Sequence, residues 1–412
     1  MRASRRTFLQ AGAAGLVFSS LPHAPAYTAR SRKRAYVLVI DGCRPDELDS
    51  GLTPNLAALR DGGLRFAQAM SMPVMETIPN HVMMMTGLRP DRTGVPANSV
   101  YDRELGEVRD LDRPSDIRCE TLIGRLNRRG HTTGTVLSKD YLYGVFGGRA
   151  THRWEPSPTL PITEHAPDVF TIEAALAMHE ELDPNLMFVN LGDIDRFGHA
   201  DLTGTTLQLA RQLALADTDV QVQRFIDALK ASGAWENAVV IVLADHSMDW
   251  STPDKVISLA GPLAADPLLA GKVQIADNGG ADLLYWTGPR AQRDQAIERM
   301  RAIAREQDGV LAAYARTADW LRLGPEAGDV VVFCQAGWRF SDPDPLTSNP
   351  IPGNHGHPAT RAIPFFIAGG HPAVPTATVS SRVARTLDVA PTLAAFFGVG
   401  RPAGGYDGRA LL

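Results

Sequence analysis

An α/β fold, with a mostly parallel central sheet and helices on both faces, is the architecture that three apolar runs in this sequence predict. Tyr36–Ile40, Leu186–Val189 and Val239–Leu243 are short, branched and apolar throughout, the pattern of strands buried on both faces. Each run leads into acids: Asp41 after the first, Asp193 and Asp195 after the second, Asp245 after the third. Ligands of open α/β sheets bind outside the carboxyl ends of the strands. Three strands therefore deliver carboxylates to one region, where they repel one another unless a cation lies among them. Histidines accompany two of the acids, in Asp195-Arg196-Phe197-Gly198-His199 and in Asp245-His246. The set points to a metal site with more than one ion.

The chain opens with Ser4-Arg5-Arg6-Thr7-Phe8-Leu9-Gln10, a twin-arginine pattern, followed by a modest apolar stretch from Ala11 to Leu21 and the small-x-small sequence Ala24-Pro25-Ala26. Residues 1–26 read as an export signal, which implies the twin-arginine export machinery as a partner and a periplasmic or secreted location. The apolar stretch falls short of the roughly 20 residues that span a bilayer, so no stable membrane span is expected in the mature chain, residues 27–412.

From about Arg34 to Asp245 strand-like runs alternate with helix-like segments such as Thr53–Gly62 and Thr218–Ser232. The second of these places Val222, Phe225, Ile226 and Leu229 at helical spacing. Such alternation argues for parallel strands joined by helices. A different texture covers residues 251–345: strand-like Ala281–Trp286, a charged helix over Ala291–Gln307, then Val310–Tyr314 and Val330–Cys334, together a small α+β insertion. The core pattern returns with Ile363–Ala368 and a helix over Ala390–Phe397.

Composition narrows the functional classes. The formal charge of −5 and the lack of a long basic stretch beyond Arg30–Arg34 disfavour a nucleic-acid groove. The three cysteines, Cys43, Cys119 and Cys334, are too few for a disulfide framework and are not spaced as a zinc–thiolate site. Any metal is therefore expected on oxygen and nitrogen ligands.

In Met75-Glu76-Thr77-Ile78-Pro79-Asn80-His81-Val82 the proline fits the first turn of a helix, where its missing N–H costs nothing. Thr77 then lies at or beside the N-cap, where the helix dipole favours an alkoxide and an anionic substrate. Taken alone, a Thr-x-Pro is more simply a helix cap. Met83–Met85 read as core filling.

Together these segments resemble the alkaline phosphatase superfamily, specifically its type I phosphodiesterase/nucleotide pyrophosphatase branch, over nearly the whole mature chain. Ile40-Asp41-Gly42, Thr77-Ile78-Pro79-Asn80-His81, the Asp195 to His199 pair, Ala244-Asp245-His246 and Gly353-Asn354-His355-Gly356 match its motifs in order. Asn98, 21 positions after Thr77, matches the asparagine that holds a phosphoryl oxygen. Asp388–Thr392 and Tyr406–Arg409 resemble the superfamily's C-terminal tail and read as structural. Sulfatases keep the same frame but need a cysteine and an arginine where this chain has Thr77 and His81.

The resemblance implies an alkaline phosphatase-like catalytic domain holding two zinc ions, or other divalent metals. Asp195, His199 and His355 would bind one; Asp41, Asp245 and His246 would bind the other, with the Thr77 oxygen on the second. Thr77 would attack phosphorus and pass through a phosphothreonine, while Asn98 steadies a phosphoryl oxygen. The implied activity is hydrolysis of a small phosphodiester or pyrophosphate. The alternatives are a phosphomonoesterase or phosphonate hydrolase on the same site, and a catalytically silent exported binding protein. His357 is a possible substitute for His355. Asp193 and His81 read as supporting groups, and Asp249 and Trp250 as possible lining. His131, His165 and His179 take the ordinary surface or loop reading. Nucleotide-cleaving relatives stack the base on aromatics at positions held here by Ile78 and Asn190, which have no π face; Tyr141, Tyr143 and Phe146 are the remaining aromatic candidates.

Overall fold

The computed structural model describes residues 32–157, 164–201, 208–342 and 352–412, so the export-signal segment 1–26 and the last residues of the 251–345 stretch lie outside it. The strands are β1 (Arg34–Ile40), β2 (Leu64–Met70), β3 (Thr133–Leu137), β4 (His152–Trp154), β5 (Leu186–Leu191) and β6 (Ala238–Leu243). Next come β7 (Val273–Asn278), β8 (Ala281–Trp286), β9 (Val310–Ala315) and β10 (Val330–Cys334), then β11 (Phe365–Ala368) and β12 (Thr378–Arg385). The principal helices are α1 (Pro54–Gly62), α2 (Thr77–Thr86), α3 (Leu122–Arg128), α4 (Asp140–Phe146), α5 (Asp168–Leu182), α6 (Asp193–Ala200), α7 (Leu209–Ala231), α8 (Arg293–Arg305) and α9 (Val389–Phe397).

The central sheet has eight strands in the order β12-β2-β11-β6-β1-β5-β3-β4. All are parallel except β11, which runs against both β6 and β2. The three apolar runs of the sequence are its centre: β5 and β6 flank β1 in parallel register, with Val39 opposite Asn190 on one side and Leu243 on the other. Every residue of β5 and β6 is buried, which explains their apolar composition, broken only by Asn190 in β5. Successive side chains of β1 enter opposite cores. Ala35, Val37 and Val39 pack with residues of α2, α3 and α9; Tyr36, Leu38 and Ile40 pack with residues of α5 and α7. Burying one such aliphatic side chain contributes about 1.5–3 kcal/mol.

Strands β7, β8, β10 and β9 form a separate four-stranded antiparallel sheet backed by α8. A hairpin of Ser99–Asp102 and Glu107–Asp110 joins its edge, where Ser99 N–H donates to Asn278 Oδ1 at 2.8 Å. Among the described residues no helix is long and apolar enough to cross a membrane, and all three cysteines are free thiols.

Candidate metal centre

The carboxyl ends of five parallel strands and the approach to the antiparallel one meet at a single place. β1 ends at Asp41, β6 at Asp245-His246, and β5 runs into α6, which carries Asp195 and His199 one turn apart. β2 leads through residues 71–76 to Thr77, the first residue of α2, and β3 leads to Lys139. His355 comes in ahead of β11, the strand that runs the other way. Asp41, Asp245 and His246 are wholly buried, and Asp195, Thr77 and His355 nearly so.

The donor atoms converge. Those of Asp41, Asp245 and His246 lie within 4.8 Å of one another, as do those of Asp195, His246 and His355. His199 Nε2 is 3.3 Å from Asp195 Oδ1, and its ring centroid is 5.0 Å from that of His355. His246 and His355 stack at 3.7 Å, and Thr77 Oγ1 is 3.2 Å from His246 Nε2. His246 thus stands between the two groups of donors.

The hydrogen bonding leaves a consistent remainder. Asp41 Oδ2 accepts from Asn190 Nδ2 at 2.8 Å, Asp245 Oδ1 accepts from the Gly42 and His246 N–H groups, and Asp195 Oδ2 accepts from Lys139 Nζ at 2.6 Å. The second oxygens, Asp245 Oδ2 and Asp195 Oδ1, are buried without a hydrogen-bond partner, and Asp41 Oδ1, also without a hydrogen bond, faces only the Lys139 ammonium. His199 and His246 each direct Nδ1 to a backbone carbonyl, of Gly353 at 2.8 Å and of Ser247 at 2.9 Å. That arrangement leaves Nε2 as the ring atom that a metal could take. Buried orphan oxygens are costly, and an oxygen–nitrogen set of this kind suits zinc or a similar divalent ion. The residues present fit the metals that the resemblance implies.

The centre already contains one cation. Lys139, wholly buried, places Nζ 2.8 Å from Asp41 Oδ1 and 2.6 Å from Asp195 Oδ2. Burial pushes the Asp195 carboxyl upward, but Lys139 and His199 outweigh it and hold the group well below the usual carboxylate range. Burial and the neighbouring Asp245 raise Asp41, with Lys139 opposing. Burial drives His246 down to about 4 and His355 well below its ordinary value, which favours the neutral imidazole, the form that a metal would require.

Supporting residues fix the geometry. Arg211, wholly buried on α7, donates to Glu47 from Nε (2.6 Å) and Nη2 (2.8 Å), to Ile194 O from Nη1 (2.8 Å) and to Gly42 O from Nη2 (2.7 Å). It therefore clasps the residue after Asp41 and the residue before Asp195. Gly42 has φ +71°, and a Cβ there would lie 3.0 Å from Asp195 Cα, so glycine permits this close approach. Asn80 Nδ2 donates to the carbonyls of Met72, Val74 and Glu76, stapling the segment that leads into Thr77. Asn98 Oδ1 accepts from Ile78 N–H at 2.8 Å, which brings Asn98 to the head of α2.

The structure corrects some of the expectations and agrees with others. His165 lies in a loop, after β4, but not at the surface: it is wholly buried, 2.6 Å from Asp193 Oδ1 at the head of α6. His179 is buried on α5 between the Tyr36 hydroxyl and Ser232. Asn190 is buried within β5 and orients Asp41, and Ile78 packs in the core, so neither position offers a face to a base. His357 turns to Asp249, 3.3 Å away, and not to the carboxylate cluster. Of the aromatic candidates, Tyr141 lies beside the centre, 6.0 Å from Lys139 Nζ, whereas Tyr143 donates to Pro156 O and Phe146 packs on Phe188. Sequence reasoning missed Lys139, Arg211 and Asn80.

The family model of type I phosphodiesterase / nucleotide pyrophosphatase matches residues 35–358. Bovine (Bos taurus) bis(5'-adenosyl)-triphosphatase ENPP4 is 24% identical over 249 residues, 57% of this chain and 52% of the relative. Human (Homo sapiens) ectonucleotide pyrophosphatase/phosphodiesterase family member 5 is 23% identical over 235 residues, 55% of this chain and 47% of the relative. The matched region thus spans about half the length of these curated relatives. Murine ENPP5 superposes with a TM-score of 0.72 at 20% identity, covering 89% of this chain and 96% of that one. Phosphonoacetate hydrolase from Sinorhizobium meliloti superposes at 0.67 and 19% identity, covering 87% and 94%. By the extent of the family match, the chain belongs to the type I phosphodiesterase/nucleotide pyrophosphatase family.

Proposed function

We propose that this protein is an exported two-metal hydrolase that cleaves phosphodiester or pyrophosphate bonds through Thr77. The observation that carries the reading is the set of three buried carboxylates, those of Asp195 and Asp245 each with an oxygen that has no hydrogen-bond partner, gathered with the neutral imidazoles of His246 and His355, the first of them 3.2 Å from the Thr77 hydroxyl. Divalent ions, zinc by preference, held by Asp195, His199 and His355 and by Asp41, Asp245 and His246, would supply Lewis-acid stabilisation of the attacking and leaving oxygens.

The chain's own residues do the rest. Thr77 Oγ1 forms the new bond to phosphorus as the bond to the departing alcohol or phosphate breaks. From a diester, the threonine then carries a phosphoryl group that keeps its second ester substituent, and water releases it with the threonine oxygen as leaving group. The helix α2 begins at Thr77, so its dipole favours the anionic substrate. The carbonyl oxygen of Asn98 is engaged by Ile78, which leaves its NH2 as the donor for a phosphoryl oxygen, worth about 3 kcal/mol by oxyanion-hole precedent. Names of similar proteins support the substrate class: the bovine relative is called a bis(5'-adenosyl)-triphosphatase, and murine ENPP5 was solved as an inactive threonine-to-alanine variant with AMP.

One observation favours a second reading. Lys139 adds a fixed positive charge between Asp41 and Asp195, which suits the extra charge of a phosphomonoester or phosphonate. Zinc-loaded wild type and Thr77→Ala, each assayed on bis(p-nitrophenyl) phosphate and p-nitrophenyl phosphate, separate the readings. Diester preference lost by at least about 1,000-fold in Thr77→Ala supports the first. Monoester preference supports the second, and equal activity in both proteins removes Thr77 from the mechanism. Two bound zinc ions with no cleavage of either ester would favour a silent binding protein. Export by the twin-arginine route rests on residues 4–26.

A further inference from the structure

A second polar cleft, of about 660 Å³, opens between the Ser99–Asp110 hairpin and the edge of the second sheet, and none of its lining residues belongs to the metal centre. Six arginines line it: Arg103, Arg109, Arg118, Arg290, Arg293 and Arg316. The carboxylates at hand are largely taken. Arg109 pairs with Asp102 and Asp116, Arg118 pairs with Glu326, and the buried Asp329 takes Arg103, both donors of Arg293 and the Trp286 N–H. The fourth lining acid, Glu104, sits exposed at the hairpin turn. Arg290 and Arg316 make no side-chain hydrogen bond or ion pair among the described residues. Arg316 is half-buried, and burial together with Arg293 and Arg103 pushes its guanidinium down from the usual arginine range.

Like charges crowded in a cleft, with their counter-charges already engaged, raise the local positive potential and favour an incoming anion. Guanidinium groups match the oxygens of a phosphoryl group in pairs. We propose that this cleft is a second anion site, which takes a phosphoryl oxyanion on Arg290 and Arg316. The anion is either free phosphate or a further phosphate on an extended substrate. The hairpin that forms one wall of the cleft begins at Ser99, directly after Asn98 in sequence.

The test is calorimetric titration of inorganic phosphate into the metal-loaded full chain, wild type against Arg290→Gln/Arg316→Gln. The expected result is one fewer equivalent of bound phosphate in the variant, or a loss of at least tenfold in affinity for that equivalent. In phosphate-free buffer the Tm of the variant should equal or exceed that of wild type, because repulsion is relieved. The exposed single variant Arg290→Glu serves as a check that needs no buried change and should weaken the same equivalent. A KM at least tenfold higher only for diesters that carry a further phosphate assigns the site to substrate; unchanged KM values with the equivalent lost assign it to free phosphate. Unchanged stoichiometry and affinity in both variants overturn the proposal.

Discussion

Lys139 shows how a single residue can be both structural and chemical. Its ammonium is buried against Asp41 and Asp195, and in the absence of metal it is the cation that holds those two carboxylates in one place. Removing one partner of a buried ion pair leaves uncompensated charge and costs about 3–5 kcal/mol. Lys139→Met is accordingly expected to lose that much stability in urea unfolding with chelator present. The deficit should shrink when zinc is added, because the ions then supply the missing positive charge. No spacing rule pointed to this lysine. Asp41, Asp195, His199, Asp245 and His246 were legible because each acid or acid–histidine pair follows an apolar strand. Lys139 lies two residues beyond β3, a strand of ordinary composition, and the sheet order brings it to its partners.

At the scale of elements, α7 serves the centre without supplying a ligand. Arg211 joins the loop after β1 to the start of α6, and these two segments carry Asp41 and Asp195. A lysine keeps the charge but cannot make the same fork of bonds to Glu47, Gly42 and Ile194. Arg211→Lys should weaken zinc binding by about 10–100-fold, read by competition with a chromophoric chelator. Unchanged affinity would show that the clasp is dispensable. The helical pattern of Val222, Phe225, Ile226 and Leu229 revealed the second half of α7, but its first half begins at Leu209, well before the expected Thr218. The unexpected part includes Arg211. A charged residue facing inward breaks the apolar periodicity that makes a helix visible, so the functional turn of α7 is the one the pattern hides. The pairing of His165 with Asp193 was hidden for a similar reason: the partners are 28 residues apart on different elements.

For the whole molecule, the predicted α/β class and mostly parallel sheet match the structure, since unbroken apolar strands alternating with helices admit few other arrangements. The reversed direction of β11 was not legible, because a strand buried on both faces looks the same in either direction. That reversal matters: it brings His355 to the ligand end of the sheet from the chain ahead of β11. The gathered, neutral imidazoles also set a pH dependence. His246 has its folded value near 4 through burial, and its ordinary value is 6.5. Between those limits the unfolded chain binds a proton that the folded one does not, so this contribution is complete above pH 6.5 and is lost as pH falls toward 4. The loss is about 3 kcal/mol for the metal-free protein. Unfolding midpoints at several pH values should fall more steeply for wild type than for His246→Gln, and parallel curves would contradict the assignment.

The central claim is that Thr77 is the nucleophile of a two-step phosphoryl transfer, and the stereochemistry at phosphorus tests it most directly. A diester made chiral by sulfur and isotopic oxygen is hydrolysed in labelled water, and the configuration of the product is read by phosphorus NMR. Two successive in-line displacements, the first by Thr77 and the second by water, predict net retention. Net inversion would mean a single direct attack by water, and would contradict the account.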